Sequence, residues 1–460
     1  MRWAFWGLAV RQAIGLFTSM ALARVLTPSD FGVVTMMAAI TGAVMLAADF
    51  GLTWTLVQQR DIDSRGFSDM FWIVAGLGLL AFVVCWLLGP LAAAYYRAPE
   101  LSLIAVVSGF GILLTNLAIV PLAVLRRRMN QRTITTILVV SAIAGQACAL
   151  LIALLNGGYW ALVAQATLPP AVVLAGAMFA SGFRPTASFP RRCVTPMIAT
   201  GAAFALVNVM NFSQGSVAAF VIGRVGTSAD VGALSRAQFL SALPLIYFVA
   251  AMHDVMIPAM SAVRDDPIRL ASVYRGALSK VARFACPSAA AIGLFAPEVV
   301  RILLGSQWNE AVPMVRWMAL AGAAMPLSAT SAWILVACNR RRAAVTISLV
   351  ALAVTILAGV LGSLGGPIWV VALTACTTAV IVAPFALTIA HRAAGLPLGS
   401  SAVAVREGVV SAALLAAFGA GPAAVALALH SNAATTIVAK GLGCFAGLML
   451  WHWARRRGPG

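Results

Sequence analysis

Only a few charged residues interrupt the long apolar runs of this sequence, and their chemistry is that of anion binding. If those runs cross a membrane, each charge inside them costs at least about 2.5–3.5 kcal/mol and needs a partner or a ligand. Most of the interrupting residues are cations, and guanidinium groups match the oxygens of a pyrophosphate. The candidate binding residues, cations with polar partners, are Arg11, Arg24, Asp49, Asn211, Gln214, Arg224, Arg236, Arg316 and Lys440.

Several of these charges also have a local explanation. Arg11 and Asp49 lie at similar depth on two successive predicted helices, so they could form a purely structural ion pair. Arg24 and Arg224 lie at predicted helix ends. Each could extend to the membrane interface, or pair with the aspartate six residues further along the chain.

The remaining intramembrane charges leave two interpretations open. Arg316 and Lys440 either line a cleft or pair locally. His253 stands beside Asp254, and with Asp49 these residues are candidates for ion coupling. A single histidine inside a membrane is more often a hydrogen-bonded packing residue.

The composition explains why these charges are so few. The chain has 460 residues, of which 62% are hydrophobic and only 10% charged. Soluble domains carry roughly 25% charged residues, so this chain is a polytopic membrane protein built of helices. Its seven cysteines are scattered, and no phosphate-binding loop or metal motif is present, so we predict no cofactor and no metal site.

Apolar runs of about 20 residues predict fourteen transmembrane helices. The first six are Ala4–Val25, Phe31–Val57, Ser68–Gly89, Leu101–Leu125, Thr133–Leu155 and Tyr159–Ser181. The next six are Met197–Gly223, Val231–Pro258, Ala277–Phe295, Ala311–Cys338, Ala343–Gly362 and Pro367–Ala390. The last two are Val409–Leu429 and Ala433–Trp453.

Arginine alternates between the connections of these helices. The even-numbered connections hold nearly all of it, for example at 126–132 and 340–342, while the odd-numbered ones hold little. Positive residues concentrate on the cytoplasmic side, so both termini are predicted to be cytoplasmic. The net charge of +18 therefore indicates orientation in the membrane, and we expect no nucleic-acid partner.

A polar stretch that occurs twice indicates an internal duplication. Arg24–Gly32 reads RVLTPSDFG and Arg224–Gly232 reads RVGTSADVG. Six helices separate the copies, so both enter the membrane in the same direction and are expected to be related by a pseudo-twofold axis along the membrane normal. The predicted lobes are residues 1–195 and 196–395, six helices each, followed by an accessory helix pair and basic tail at 396–460.

Six stretches of the sequence form a recognisable set: Ala23–Gly32, Ala48–Leu52, Leu125–Met129, Leu304–Trp308, Ala311–Pro313 and Leu320–Gly322. Taken together, they resemble bacterial Wzx-type polysaccharide flippases of the MATE-like MOP superfamily. The similarity extends from about Ala4 to Arg342.

The resemblance implies a fold and a transport function. It implies two six-helix lobes around a cationic cavity, in the inner membrane of a bacterium. The substrate would be an undecaprenyl-pyrophosphate-linked oligosaccharide, moved from the cytoplasmic to the periplasmic leaflet by a protein that is not an enzyme. Arg24 and Asp49 match positions in the family motifs at Ala23–Gly32 and Ala48–Leu52. A monomer is expected, working with a polysaccharide polymerase and a chain-length regulator.

Three other functions remain open from the residues. A membrane polymerase or glycosyltransferase would need a long outer loop with catalytic carboxylates, and the predicted outer loops are short. A cation-coupled drug exporter of the same superfamily would have twelve helices. A flippase for the peptidoglycan precursor would have the same overall design.

Overall fold

The computed structural model contains helices and turns, and no strand among the residues it describes. These residues are 2–49, 64–186, 194–363, 369–394, 405–418 and, within 436–449, all but 438, 445 and 448. The predicted all-helical class is confirmed. The helices are α1 (Arg2–Val25), α2 (Pro28–Asp49), α3 (Ser64–Tyr96), α4 (Leu101–Arg127), α5 (Gln131–Leu154), α6 (Trp160–Ser181), α7 (Val194–Val225), α8 (Ser228–Ala262), α9 (Pro267–Leu294), α10 (Ala296–Leu303), α11 (Ala311–Ala337), α12 (Arg341–Ser363) and α13 (Trp369–Ala394). Helical segments also occur at 405–418 and within 436–449.

Most helix ends lie close to their predicted positions, but α3 continues through Pro90 to Tyr96, seven residues past its predicted end. The helix α9 begins at Pro267, ten residues before the apolar run that predicted it. Asp266 caps this polar extension, because its side chain accepts hydrogen bonds from the backbone N–H groups of Ile268 and Arg269. The short α10 was not predicted. It follows α9 after a bend of 77°.

The lengths of these helices suit a bilayer. Within the described part of the chain, eight helices are long and apolar enough to cross a membrane, and up to ten spans result if each of two bent pairs counts as one. One bent pair lies within α8 and the other is α9 with α10. The chain is therefore a multi-pass membrane protein. The total of fourteen spans includes stretches outside the described residues and stays a prediction.

The chain forms two compact units, Met1–Gly232 and Ala233–Gly460. In the first, α3 packs on α4, α4 on α6, α6 on α5, and α5 on α1, while α2 packs on α7. In the second, α11 packs between α9 and α13, around a core that includes Tyr274, Leu278 and Ile334. The lobe boundary at residues 195 and 196 stays a prediction.

The duplicated stretch folds the same way in both copies. The Asp30 carboxylate accepts hydrogen bonds from the Thr27 N–H at 2.9 Å and the Thr27 hydroxyl at 2.7 Å. In the second copy, the Asp230 carboxylate accepts from the Thr227 N–H at 2.7 Å and its hydroxyl at 2.5 Å. The Thr and Asp that both copies share are thus helix-capping residues.

A second pair of turns also matches between the two halves. After α4, Met129 adopts a φ of 53°, and after α11, Asn339 adopts a φ of 54°. In the first turn the N–H of Asn130 donates to the Leu125 carbonyl, and in the second the N–H of Arg340 donates to the Leu335 carbonyl. Equivalent residues of the two copies are 200 positions apart at the capped stretches and 210 positions apart at these turns. A small insertion in the second copy would cause this difference.

The two capped stretches also touch each other, within the first unit. The hydroxyls of Ser29 and Ser228 lie 2.6 Å apart. A Cβ atom added at Gly32 would overlap the backbone carbonyl of Ser228, and one added at Gly232 would overlap the carbonyl of Pro28. Glycine is therefore required at both positions because two backbones approach closely there.

We expect Gly32→Ala and Gly232→Ala each to destabilise the protein by about 1–3 kcal/mol, because backbone atoms cannot move aside for the new methyl group. Thermal unfolding of the purified protein in detergent measures the effect. Gly15→Ala and Gly76→Ala are matched controls, since nothing lies within 4 Å of a Cβ added at either position. Equal unfolding temperatures for Gly32→Ala and Gly15→Ala would contradict the prediction.

Candidate functional site

Arg11 lies on the packed side of α1. The most buried positions of this helix include Gly7, Thr18 and Leu22, which share one helical face with Arg11. Gly7 marks the contact with α5, because a Cβ added there would overlap the side chain of Thr135. The Arg11 side chain is partly exposed, and none of the ion pairs among the described residues includes it.

The partner predicted for Arg11 lies at the edge of the described part of the chain. Asp49 is the last residue of α2, and its side chain is outside the description. The ion pair of Arg11 with Asp49, and the part of Asp49 in ion coupling, therefore stay predictions.

Asn211 and Gln214 form a polar pair on α7. The Gln214 amide nitrogen lies 3.4 Å from the Asn211 side-chain oxygen, one helical turn away. Asn211 is exposed and Gln214 is partly exposed. The structure thus brings together the two amides that the sequence suggested as partners for the ligand.

Arg24 and Arg224 take equivalent places at the last turns of α1 and α7, and both side chains are exposed. The Arg224 guanidinium lies over the ring of Tyr95 at 5.7 Å, a cation–π contact. The carboxylates of Asp30 and Asp230 accept the capping hydrogen bonds of the turns that follow Arg24 and Arg224.

Arg236 and Arg316 lie on different helices of the second unit. Arg236 is partly buried on α8, with its guanidinium 5.2 Å from the ring of Phe239. Arg316 is exposed on α11, along the same stripe of the helix as Pro313 and Leu320. Arg316 takes part in none of the ion pairs found among the described residues.

Lys440 has a local partner. It is only 7% exposed. Its ammonium donates to the Glu298 carboxylate at 2.6 Å and to the Leu294 carbonyl at 3.2 Å, and lies 5.7 Å from the ring of Phe295. Of the two interpretations given above, local pairing accounts for this charge. Glu298 could not be predicted as the partner from the sequence, since 142 residues separate it from Lys440.

A second cation, which lies in the predicted helix Ala277–Phe295, is also paired in this unit. The Arg283 side chain on α9 lies 3.5 Å from the Glu407 carboxylate in the 405–418 helix. The neighbouring Gly408 sits against the backbone of Ala282, where a Cβ atom would overlap the carbonyl. Charge pairs therefore join the C-terminal helical segments to α9 and to the bend that follows it.

The two histidines of the described second unit differ in environment. His253 and Asp254 are exposed, at 54% and 83%, with the His253 Nδ1 3.1 Å from the Asp254 carboxylate. His391, to which the sequence analysis assigned no role, is fully buried. Its ring lies 5.3 Å from that of Tyr274, and its Nδ1 lies 2.6 Å from the Leu387 carbonyl. Ion coupling by His253 and Asp254 stays a prediction.

Comparison with known proteins identifies the fold. The chain is similar to the lipid II flippase MurJ in an inward closed conformation, with a TM-score of 0.70 over 99% of both chains at 10% identity. It is also similar to an inward-facing multidrug resistance MATE family transporter of the MOP superfamily, with a TM-score of 0.62 at 15% identity. That likeness covers 84% of this chain and 98% of the transporter. At such identities the likeness shows the fold alone.

The sequence comparisons identify the family. The lipopolysaccharide biosynthesis protein WzxC of Escherichia coli (strain K12) is 21% identical over 327 residues, which cover 70% of this chain and 66% of WzxC. The chain spans between 58% and 66% of the length of the curated relatives it matches. A family model described as polysaccharide biosynthesis protein matches residues 21–313. The resemblance to the polysaccharide flippases is thereby confirmed at the level of the family, and the chain belongs to the polysaccharide biosynthesis protein family.

Proposed function

We propose that this protein is a flippase for an undecaprenyl-pyrophosphate-linked oligosaccharide. It moves the repeat unit of a surface polysaccharide from the cytoplasmic to the periplasmic leaflet of the inner membrane. Family membership and the name of WzxC support the link to polysaccharide assembly. The likeness to MurJ supports a fold that holds a lipid-linked ligand.

The observation that carries the proposal is the division of the intramembrane cations into two groups. Lys440 and Arg283 are paired with carboxylates. Arg11 and Arg316 lie in spans of α1 and α11 but belong to none of the ion pairs among the described residues. A cation in a membrane is expensive without a counter-charge. A phosphorylated ligand would supply that charge.

The proposed roles follow from the chemistry of each side chain. Arg11, Arg236 and Arg316 bind the pyrophosphate, because guanidinium groups form paired hydrogen bonds with phosphate oxygens. Asn211 and Gln214 hydrogen-bond the sugars, and the prenyl chain stays in lipid. The two lobes alternate in giving access to each side of the membrane.

A flippase for the peptidoglycan precursor is the second candidate, and one observation favours it. The MurJ fold covers 99% of this chain, including the C-terminal segments, while the MATE transporter covers 84%. The match of residues 21–313 to the polysaccharide biosynthesis family favours the first candidate. Comparing flipping of the two lipid-linked substrates in the same vesicles distinguishes them.

Removing the cations tests the proposal. In vesicles reconstituted with the full chain, Arg11→Ala and Arg316→Ala are each expected to slow flipping of a fluorescent undecaprenyl-pyrophosphate-linked oligosaccharide about tenfold or more, because each loses a charge-assisted contact. Arg275→Ala is the control, since this exposed arginine lies in the polar first turns of α9. Full activity of both Arg11→Ala and Arg316→Ala would remove the proposed site.

A further inference from the structure

We propose that the arginine cluster at the ends of α4 and α6 binds the phosphate head group of an anionic phospholipid. The cluster consists of Arg126, Arg128 and Arg184. It lies in connections predicted to be cytoplasmic, and none of the candidate substrate-binding residues belongs to it. The inference does not depend on the proposed transport function.

The arginines of the cluster come from two connections, the one after α4 and the one after α6. The Arg128 side chain donates to the Ser181 carbonyl at 2.9 Å, which ties the turn after α4 to the last residue of α6. Gly182 then turns the chain with a φ of 62°. Arg184 follows two residues later, close to the same helix ends.

Polar contacts with α3 hold the segment that carries Arg184. The Thr186 N–H and hydroxyl lie 3.2 Å and 3.0 Å from the Ser68 hydroxyl. The Trp72 indole donates to the Thr186 carbonyl at 3.0 Å. The ring of Phe183 lies 5.8 Å from that of Phe71. Arg184 is therefore on an anchored segment and not on a free loop.

Within the described part of the chain, no ion pair neutralises the three arginines of the cluster. All three side chains are exposed. The stretch 126–132 reads RRRMNQR, with four arginines and no acid. Asp69 is the acid nearest in sequence to Ser68 on α3, and it has an interaction of its own.

Another connection predicted to be cytoplasmic shows the opposite arrangement. The stretch 264–269 reads RDDPIR, so its charges cancel. Arg264 lies 3.6 Å from Asp265, and Arg269 lies 3.3 Å from Asp266. Arginines orient a membrane protein in both stretches, because acids contribute little to that rule. Of these two stretches, only 126–132 has an excess of positive charge in its sequence, and such an excess attracts anionic head groups.

Apolar side chains next to the cluster provide a place for acyl chains. Phe179 in the last turn of α6 is 92% exposed, and Met129 beside Arg128 is 82% exposed. A phospholipid offers both a phosphate and acyl chains, whereas a free phosphate would leave the apolar surface unused. The occupant that matches both features is an anionic phospholipid.

Binding of phosphatidylglycerol to the purified full chain, measured by native mass spectrometry, tests the inference. Arg126→Gln combined with Arg184→Gln is expected to weaken the tightest phosphatidylglycerol site roughly 30-fold, because each arginine near such a head group contributes about fivefold. Arg126→Lys combined with Arg184→Lys keeps both charges and should retain most of the binding.

Arg264→Gln combined with Arg269→Gln removes the same number of charges from the self-neutralised stretch and should leave the tightest site unchanged. Phosphatidylcholine should not occupy the site. The inference is overturned if the glutamine pair at 126 and 184 binds phosphatidylglycerol as the unmodified protein does while keeping its helical circular dichroism. It is also overturned if phosphatidylcholine binds equally well, or if undecaprenyl pyrophosphate occupies the site and phosphatidylglycerol does not.

Discussion

A disulfide between Ser29→Cys and Ser228→Cys is expected to stop transport, and reduction is expected to restore it. The two hydroxyl oxygens lie 2.6 Å apart, so sulfur atoms in their place come within reach of a bond of about 2.05 Å. In the predicted lobe division, Ser29 belongs to the first lobe and Ser228 to the second. In the proposed alternating-access cycle these capped stretches separate once, and a covalent bond would prevent that.

A control disulfide shows whether transport stops because the two capped stretches are held together or because any cross-link stops it. Ser68→Cys with Thr186→Cys joins two hydroxyl positions 3.0 Å apart, both within the predicted first lobe. This bond should leave flipping nearly unchanged, as should each single cysteine variant. Flipping in reconstituted vesicles, before and after reduction, gives the comparison. If the bond between positions 29 and 228 forms and transport continues, the lobes do not separate at this contact.

Lys440→Met is expected to destabilise the protein by about 3–5 kcal/mol, because it leaves a buried carboxylate without its counter-charge. The side chains of Lys440 and Glu298 are 9% and 15% exposed. The second oxygen of the Glu298 carboxylate, Oε2, is buried and has no hydrogen-bond partner among the described residues. Thermal unfolding in detergent measures the loss.

Two further variants show whether the isolated charge is the cause. Lys440→Met combined with Glu298→Gln removes both charges and should recover most of the lost stability. Arg283→Met breaks a more exposed pair, at 32% and 43%, and should cost only about 0–1 kcal/mol. Equal losses for Lys440→Met and Arg283→Met would show that burial does not determine the cost of these pairs.

Local patterns predicted most of the helices. Hydropathy placed the apolar runs, and the predicted ends of helices such as α4 and α11 lie within two residues of the observed ones. The largest error in a predicted helix end has a polar cause. The extension of α9 to Pro267 depends on the Asp266 cap, which hydropathy does not register. The bend before α10 likewise has no signal in the apolar pattern.

The partners of the intramembrane charges could not be predicted. Lys440 pairs with Glu298, which is 142 residues away in the chain, whereas His253 pairs with the adjacent Asp254. Sequence spacing says which residues share a helix face, but not which helix lies opposite. For the same reason, the sequence alone indicates only that the arginines at 126–132 orient the protein in the membrane. The hydrogen bond from Arg128 to the Ser181 carbonyl shows that arginines from two connections lie together.

By itself, the sequence determined that this chain is a helical membrane protein with a duplicated, capped stretch in each half. Those properties follow from hydropathy and from hydrogen bonds between residues three apart, which need no distant partner. Only the tertiary structure decided which of the described cations are paired with carboxylates. That outcome depends on helix packing, because a charge is stabilised by whatever group lies within a few ångströms, however distant in the chain.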